Sequence, residues 1–423
     1  MTTDTSAVPA APRPEGGAHG EEADALVAQI VLTPQGRQDP YPLYQRLREI
    51  APVHHSAMGM WLVSAYDDVN AMLRDRRMGR DAPLFIGNKF GGDWDDHAAL
   101  RRMAASMLWK NPPEHSRLRN LVKHAFTPRR VAEMKESVAG LVDEMLDPLA
   151  EAGGGDLLND FAFPLPLAVI TTLLGVPTEE APALREPMRA FQQTFDIAIT
   201  PEQLRQADEG AEFTDSYFTD LIAQRRAHPR DDMISALIEA EDAGDRLTAQ
   251  ELLVICNTVV GAGFETATNT ISNMVLALHR NPDQERRVRE DRTLVETAVD
   301  EVLRCEPPIH LLMRTSLEDV VVGGREIPRH QTVIAMLASA NRDPGYFPDP
   351  DRFDVGRQDA SHLSFGAGVH HCLGWSLAKL EADLTLARLL ERFTRIEVTE
   401  EPEYRPLVTM RGMKALQVKV TNR

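Results

Sequence analysis

The chain has 423 residues, 43% of them hydrophobic, which is enough for a substantial core. Its formal net charge of −18 argues against nucleic acid as a partner, because phosphate is met by a basic surface. The three cysteines form no C-x-x-C pair, which argues against a disulfide framework and suits a reducing cytoplasm.

The N-terminal residues are rich in Ala, Pro, Gly and Glu and lack a long apolar run. Such a composition cannot bury enough surface to fold, so residues 1–25 are predicted to form a disordered leader. The segment has no signal-peptide apolar region and no membrane span. We therefore expect a cytoplasmic protein without a membrane anchor.

Helical patterns dominate the first half of the chain. Residues 41–50 predict a short amphipathic helix, and residues 61–63 predict a strand followed by a helix through Val69 and Leu73. Residues 79–110 show weak periodicity and predict a long irregular segment, a kind that is often functional. Residues 114–151 predict further helix, which should end at the glycines 153–155.

A long helix is predicted between Thr248 and Arg280. Its start is marked by the capping box Thr-Ala-Gln-Glu at 248–251 and its end by Asn-Pro at 281–282. About thirty residues give roughly 45 Å, enough to cross a whole domain. Gly263 inside it costs about 1 kcal/mol relative to Ala, which indicates either a close helix crossing or a ligand contact. The Thr266 hydroxyl can donate to the carbonyl four residues back.

The remaining elements are short. A helix is predicted at about 293–304, a hairpin at 320–327 around Gly-Gly, and a C-terminal strand in which Leu416, Val418 and Val420 alternate with polar residues. The chain is thus predicted to be mainly α with small β-sheets.

Residues 365–374, the cysteine loop, read Phe-Gly-Ala-Gly-Val-His-His-Cys-Leu-Gly. They place Cys372 on a glycine-rich loop that leads directly into a helix. A thiol at a helix N-terminus is readily ionised, and the thiolate is the form that binds metal. Gly366 allows backbone angles that other residues avoid, and Gly374 leaves room for a flat group. The alternative is a buried core cysteine beside an ordinary loop.

The cysteine loop resembles the haem-binding signature of the cytochrome P-450 family at all six specified positions, which include Phe365, Gly366, His370, Cys372 and Gly374. The resemblance extends from about residue 40 to the end of the chain. It implies the P-450 fold, with one large domain over residues 26–423 and the long helix crossing over the cofactor. It also implies haem b with Cys372 as the axial ligand of the iron.

Residues 262–266, Ala-Gly-Phe-Glu-Thr, resemble the oxygen-activation motif of this family. The likeness implies that Ala262 lies beside the haem and that the Thr266 hydroxyl holds oxygen and a water. Glu265 would then belong to a proton relay.

Charged residues outside these two motifs also match family positions. The resemblance implies that the haem propionates are bound by His115, Arg119, Arg314 and His370. It further implies a buried structural triad of Glu301, Arg304 and Arg352. Asn111 stands where many bacterial relatives carry Asp.

The resemblance implies a soluble monooxygenase that uses O2 and two electrons from a separate ferredoxin-type donor with its own reductase. We expect a monomer that hydroxylates or epoxidises a small hydrophobic natural product, first a polyketide or macrolide intermediate of antibiotic biosynthesis. A terpenoid or a carrier-tethered amino acid is the alternative. Arg117 and Lys123 are predicted to steer the ferredoxin. Pocket segments are residues 81–110 and 186–215, with Val259, Ala262, Ile309, Leu311, Leu312, Thr409 and Met410 as individual candidates.

Two other functions remain open. One is a haem-binding sensor without turnover, which would have no need of the Glu265–Thr266 pair. The other is a haem-thiolate enzyme that uses peroxide or catalyses dehydration or rearrangement, and such enzymes often lack this pair.

Overall fold

The computed structural model describes residues 18–197, 199–242, 247–358 and 360–423. It is 62% helical. The helices of the first half are α1 (Ala18–Leu32), α2 (Pro34–Gln38), α3 (Tyr41–Ile50), α4 (Tyr66–Arg74), α5 (Ala82–Phe90), α6 (Ala98–Ala105), α7 (Glu114–Val122), α8 (Pro128–Glu133), α9 (Lys135–Ala152), α10 (Pro164–Leu174) and α11 (Arg185–Gln192). Those of the second half are α12 (Pro201–Ala227), α13 (Met233–Asp242), α14 (Ala249–Arg280), α15 (Pro282–Glu290), α16 (Val295–Cys305), α17 (Leu337–Ala340) and α18 (Trp375–Arg392).

The described strands are short and form three sheets. They are β1 (Val53–His55), β2 (Trp61–Val63), β3 (Met78–Gly79), β4 (Gly154–Asp156), β5 (Leu311–Ser316), β6 (Val320–Val322), β7 (Arg325–Ile327), β8 (Thr332–Met336), β9 (Phe393–Val398) and β10 (Gln417–Asn422). The largest sheet has the order β1-β2-β8-β5-β3, in which only the β2–β8 pair is parallel. A second sheet has the order β4-β10-β9, and β6 and β7 form a hairpin.

Helix α14 runs through the core of the molecule. Thr248 and Glu251 form both hydrogen bonds of the predicted capping box. From Phe264 to Leu278 all residues but Thr266 are buried, so the central part of this helix is surrounded by the core on nearly all sides. The sequence left open whether Gly263 faces another helix or a ligand. A Cβ at this position would lie 2.7 Å from Cγ1 of Ile170 in α10, so it faces a helix. The glycine therefore serves a close helix crossing.

Most predicted elements are confirmed, including α3, β2, α4, α16, the β6–β7 hairpin and the last strand. Two predictions are wrong. Residues 79–110 are not irregular, because α5 and α6 form there, and α5 begins where Asp81 caps Leu84 with Pro83 in the first turn. Residues 18–25 of the predicted leader belong to α1, whose Ala23 is fully buried, whereas residues 1–17 lie outside the described part.

No helix in the described ranges combines the length and the apolar character that a bilayer crossing needs.

Candidate haem site

The cysteine loop is held by its backbone. The Cys372 amide donates to the Phe365 carbonyl at 2.9 Å, and α18 begins three residues later. Gly368 has a positive φ of 70°, and a Cβ there would lie 2.3 Å from the Leu73 carbonyl oxygen, so only glycine fits. Gly366 also has a positive φ, of 67°. This geometry fixes the backbone on the N-terminal side of the half-buried Cys372.

The Cys372 thiol itself is not the readily ionised group that its position predicted. Burial raises its pKa, and the Gly374 N–H and the Arg119 charge only partly oppose that rise. A metal ion that binds the sulfur would supply the missing stabilisation of the thiolate.

Three arginines and two histidines converge beside this loop in a group that we call the cationic cluster: Arg80, His115, Arg119, Arg314 and His370. The His115 and His370 rings lie 4.2 Å apart between centroids. Burial and the neighbouring arginines lower the pKa of His115 to about 4 and that of His370 to about 2, so both are neutral. Burial also lowers the pKa of Arg314 to about 10.

The cationic cluster lacks its counterions. None of its three arginines forms an ion pair with a carboxylate among the described residues. His115 Nδ1, His370 Nε2 and Arg80 Nε are buried without a hydrogen-bond partner. A ligand with two carboxylates beside Cys372 would satisfy these groups, and haem propionates have that chemistry. The predicted residues His115, Arg119, Arg314 and His370 are thus brought together. No sequence motif indicates Arg80, because the pairing of β3 with β5 that places it joins distant parts of the chain.

The side chains of residues 262–266 lie on two faces of α14. Ala262 is exposed and Thr266 half-buried, and the Thr266 hydroxyl donates to the Ala262 carbonyl at 3.1 Å, as predicted. Glu265 is fully buried on another side. Its carboxylate accepts from Arg405, and Arg189 Nε lies 3.5 Å from Glu265 Oε2. Glu265 therefore meets two arginines, and among the described residues it has no hydrogen bond to Thr266.

A sequence model of the cytochrome P-450 family matches residues 45–420. The chain belongs to the cytochrome P-450 family. The monooxygenase PikC of Streptomyces venezuelae is 39% identical over 393 residues, which cover 90% of this chain and 91% of PikC. The 6-deoxyerythronolide B hydroxylase of Saccharopolyspora erythraea is 36% identical over 400 residues, 90% of this chain and 96% of that enzyme.

A solved P-450 structure has the same fold. It is P450BioI in complex with an acyl carrier protein that carries hexadec-9Z-enoic acid, with a TM-score of 0.87 and 36% identity. The match covers 92% of this chain and all of that chain. Together these relatives show a haem-thiolate monooxygenase with the P-450 fold, similar to bacterial members that tailor secondary metabolites.

The prediction that Arg352 completes the structural triad is wrong. Glu301 and Arg304 are fully buried and form two hydrogen bonds, of 2.8 and 2.9 Å. The third cation is Arg357, whose Nε lies 3.1 Å from Glu301 Oε2. The Arg352 side chain is 58% exposed and pairs with Asp354. The turn that follows Arg352 explains this, because it brings Asp354 N to 2.8 Å from Glu301 and carries Arg357 inward.

Several of the predicted pocket segments lie together, whereas Val259 packs in a different apolar cluster. Ile309 pairs with Met410 in a β-bridge, and the His310 amide donates to the Thr409 carbonyl at 2.9 Å. Leu312 shares a strand face with Arg314 and lies close to Gly366, whereas Leu311 lies on the opposite face. Val259 lies on α14 and is buried in the protein core. One apolar cluster joins the contributions of five segments: Phe85, Leu100, Met103, Phe191, Leu311 and Val408.

The loop of residues 405–411 ties these segments to one another. Its Arg405 meets Glu265, and the amides of Val408 and Thr409 each donate to Asp196 Oδ1 at 3.0 Å. Arg411 donates to the carbonyls of Arg37 and Gln38, each at 3.1 Å. The loop is therefore fixed to α14, to the segment between α11 and α12, and to the N-terminal helices.

Proposed function

We propose that this monooxygenase oxidises a hydrophobic natural product, first a polyketide or macrolide intermediate of antibiotic biosynthesis. The observation that carries the site assignment is the counterion-free cationic cluster beside Cys372. Haem b is the proposed cofactor, and when bound it supplies the activation of O2. Cys372 would hold its iron, and His115, Arg119, Arg314 and His370 would hold its propionates. The cysteine-loop residues Phe365, Gly366 and Gly374 and the helix residue Ala262 would contact the haem.

The substrate class is supported by the apolar cluster and by one relative. Phe85, Leu100, Met103 and Phe191 come from segments that the family resemblance places around the pocket. An apolar cluster beside the proposed pocket suits a substrate with a large hydrocarbon surface. The 6-deoxyerythronolide B hydroxylase is a relative in macrolide tailoring, and this likeness supports the choice of a macrolide intermediate.

A carrier-tethered substrate is the second candidate. The similarity to P450BioI, which was solved with an acylated carrier protein, supports it. The two candidates differ in a measurable way, because a carrier-tethered substrate should bind only while it is attached to its carrier.

The proposed catalytic residue is Thr266, with Glu265 as a more distant proton donor. The half-buried Thr266 hydroxyl can hold a water at the exposed face of α14. Glu265 can join a proton relay only when Arg405 and Arg189 release its carboxylate, since these two arginines hold it away from Thr266.

A ferredoxin-type donor would dock near the cysteine loop of a cytoplasmic monomer. Lys123 is exposed in a turn whose Phe126 contacts the Gly374 position. Val369 and Trp375, 43% and 42% exposed, offer apolar contacts beside it. Arg117 is a weaker candidate than the sequence indicated, because it is already paired with Glu251.

Carbon monoxide difference spectroscopy tests the ligand assignment. The reduced protein should give the strongly red-shifted band that is typical of sulfur ligation, and Cys372→Ser should abolish it. Cys256→Ala is the matched control, because Cys256 is buried in the apolar core and should leave the band unchanged. Absence of the band from folded, haem-loaded wild-type protein would refute the proposal.

Turnover separates the enzyme from a sensor. With NAD(P)H, a surrogate ferredoxin and its reductase, product should form only when substrate is present. Thr266→Ala should lower the product formed per NAD(P)H by at least about tenfold. Thr270→Ala removes a similar hydroxyl, bonded to the Thr266 carbonyl, and should not. An equal effect of both substitutions would argue against the role of Thr266.

A further inference from the structure

Arg80 is the member of the cationic cluster that no sequence motif indicated. It follows β3, which pairs antiparallel with β5 in the register Met78 to Ser316 and Gly79 to Thr315. Continued by one residue, this register places Arg80 directly opposite Arg314. Two like charges at opposite positions of neighbouring strands destabilise a sheet, so the arrangement calls for an anion between them.

Neighbouring side chains hold Arg80 in this position. Asn111 Oδ1 accepts from the Arg80 amide at 2.8 Å, and Asn111 Nδ2 donates to the Arg80 carbonyl at 2.6 Å. An aspartate could make only the first bond, so the amide at position 111 suits the backbone of Arg80. The guanidinium carbon lies 5.1 Å from the centroid of the Trp109 ring, which limits its movement on one side.

The guanidinium of Arg80 is not satisfied by the protein. Its Nε is buried without a hydrogen-bond partner, and no carboxylate pairs with it in the part of the chain that the structure describes. Burial and the Arg314 charge hold the pKa of Arg80 well below its usual range. An anion that bound between the two guanidinium groups would reverse that shift.

We propose that Arg80 binds a haem propionate together with Arg314. This inference rests on the proposed haem site and adds a residue to it. The three arginines of the cationic cluster have no carboxylate partner in the described part of the chain, so their charges are available to two propionates. Arg80 would also favour the reduced cofactor, because a nearby cation stabilises the form that carries the additional electron.

The test uses the haem-loaded protein and two measurements other than activity: the rate of haem transfer to excess apomyoglobin and the reduction potential. Arg80→Gln should speed haem loss by about tenfold and make the potential more negative. Arg80→Lys keeps the positive charge but loses the planar guanidinium that can donate two hydrogen bonds to one carboxylate. This variant should therefore lose haem faster than the wild type and more slowly than Arg80→Gln. Arg77→Gln is the matched control, because this substitution removes the same charge from a side chain that is about half exposed and pairs with Asp75.

Two outcomes separate this inference from the function on which it rests. If Arg314→Gln speeds haem loss while Arg80→Gln behaves like Arg77→Gln in both measurements, Arg80 is not a propionate ligand and the proposed function stands. If the wild type gives no sulfur-ligated spectrum, the proposed function fails and this inference fails with it. If the Arg80→Gln protein does not accumulate, the Arg80→Lys protein provides the test. Haem loss from Arg80→Lys at the same rate as from the Arg77→Gln control would overturn the assignment.

Discussion

At the scale of single residues, Glu301 shows how a buried charge is made tolerable. Its two oxygens accept from Arg304, from Arg357 and from the Asp354 amide. Hydrogen bonds from this many donors offset the cost of removing the carboxylate from water, and they fix the turn that carries the donors. The same turn precedes the cysteine loop, so this ion pair contributes to the site without touching it.

Arg357→Gln should lower the free energy of unfolding by about 3 kcal/mol, because it removes one cation from a buried charge. Arg352→Gln should change it by less than about 0.5 kcal/mol, since that side chain is largely exposed. Urea unfolding of the two haem-loaded variants measures the difference. Equal destabilisation by both substitutions would restore Arg352 to the triad.

The residues that the sequence did predict are those fixed by local chemistry. Cys372 and Thr266 lie in short motifs, and the Thr248 cap depends only on the next three residues. Arg80 and Arg357 could not be predicted in this way. Their roles depend on a strand register and on the course of a turn, which bring together residues far apart in the chain.

At the scale of elements, α14 is positioned by a close crossing with α10. Local patterning predicted its two ends, but it could not tell whether Gly263 faces a ligand or a helix. The contact with Ile170 settles that question, because the missing side chain is what lets the two helices approach. The prediction of an irregular segment at 79–110 is wrong for a related reason, since its short helices are stabilised by burial against other elements rather than by their own periodicity.

A pair of substitutions on α14 tests this account of the crossing. Gly263→Ala should destabilise the protein by about 1–3 kcal/mol, because the new Cβ overlaps Ile170. Gly261→Ala should be neutral or stabilise by up to about 1 kcal/mol, since its Cβ would have only Met188 Sδ nearby, at 3.8 Å. Thermal unfolding midpoints of the haem-loaded variants measure both. The same sign of change for both would contradict the crossing as the reason for Gly263.

At the scale of the whole molecule, the charge of −18 opposes the approach of an acidic ferredoxin. Productive binding of the ferredoxin then depends on a locally positive surface, such as the exposed Lys123 near the cysteine loop. The apolar side chains of Val369 and Trp375 would add contacts that salt does not weaken.

Lys123→Glu should slow the first reduction by an acidic surrogate ferredoxin several-fold at low ionic strength, and added salt should narrow the gap to the wild type. Lys419→Glu, on β10, makes the same change of charge at an exposed position of another surface. Stopped-flow reduction under carbon monoxide measures each rate. If the two variants are slowed alike, only the global charge matters and the docking surface lies elsewhere.

The many anchors of the 405–411 loop have a consequence for engineering. A chimera that receives this loop from another enzyme would lose bonds to Asp196, Glu265 and the end of α2 in one step. Substrate preference should therefore be exchanged more readily by grafting the loop together with the 194–197 segment and α2, as one cassette, than by swapping the loop alone.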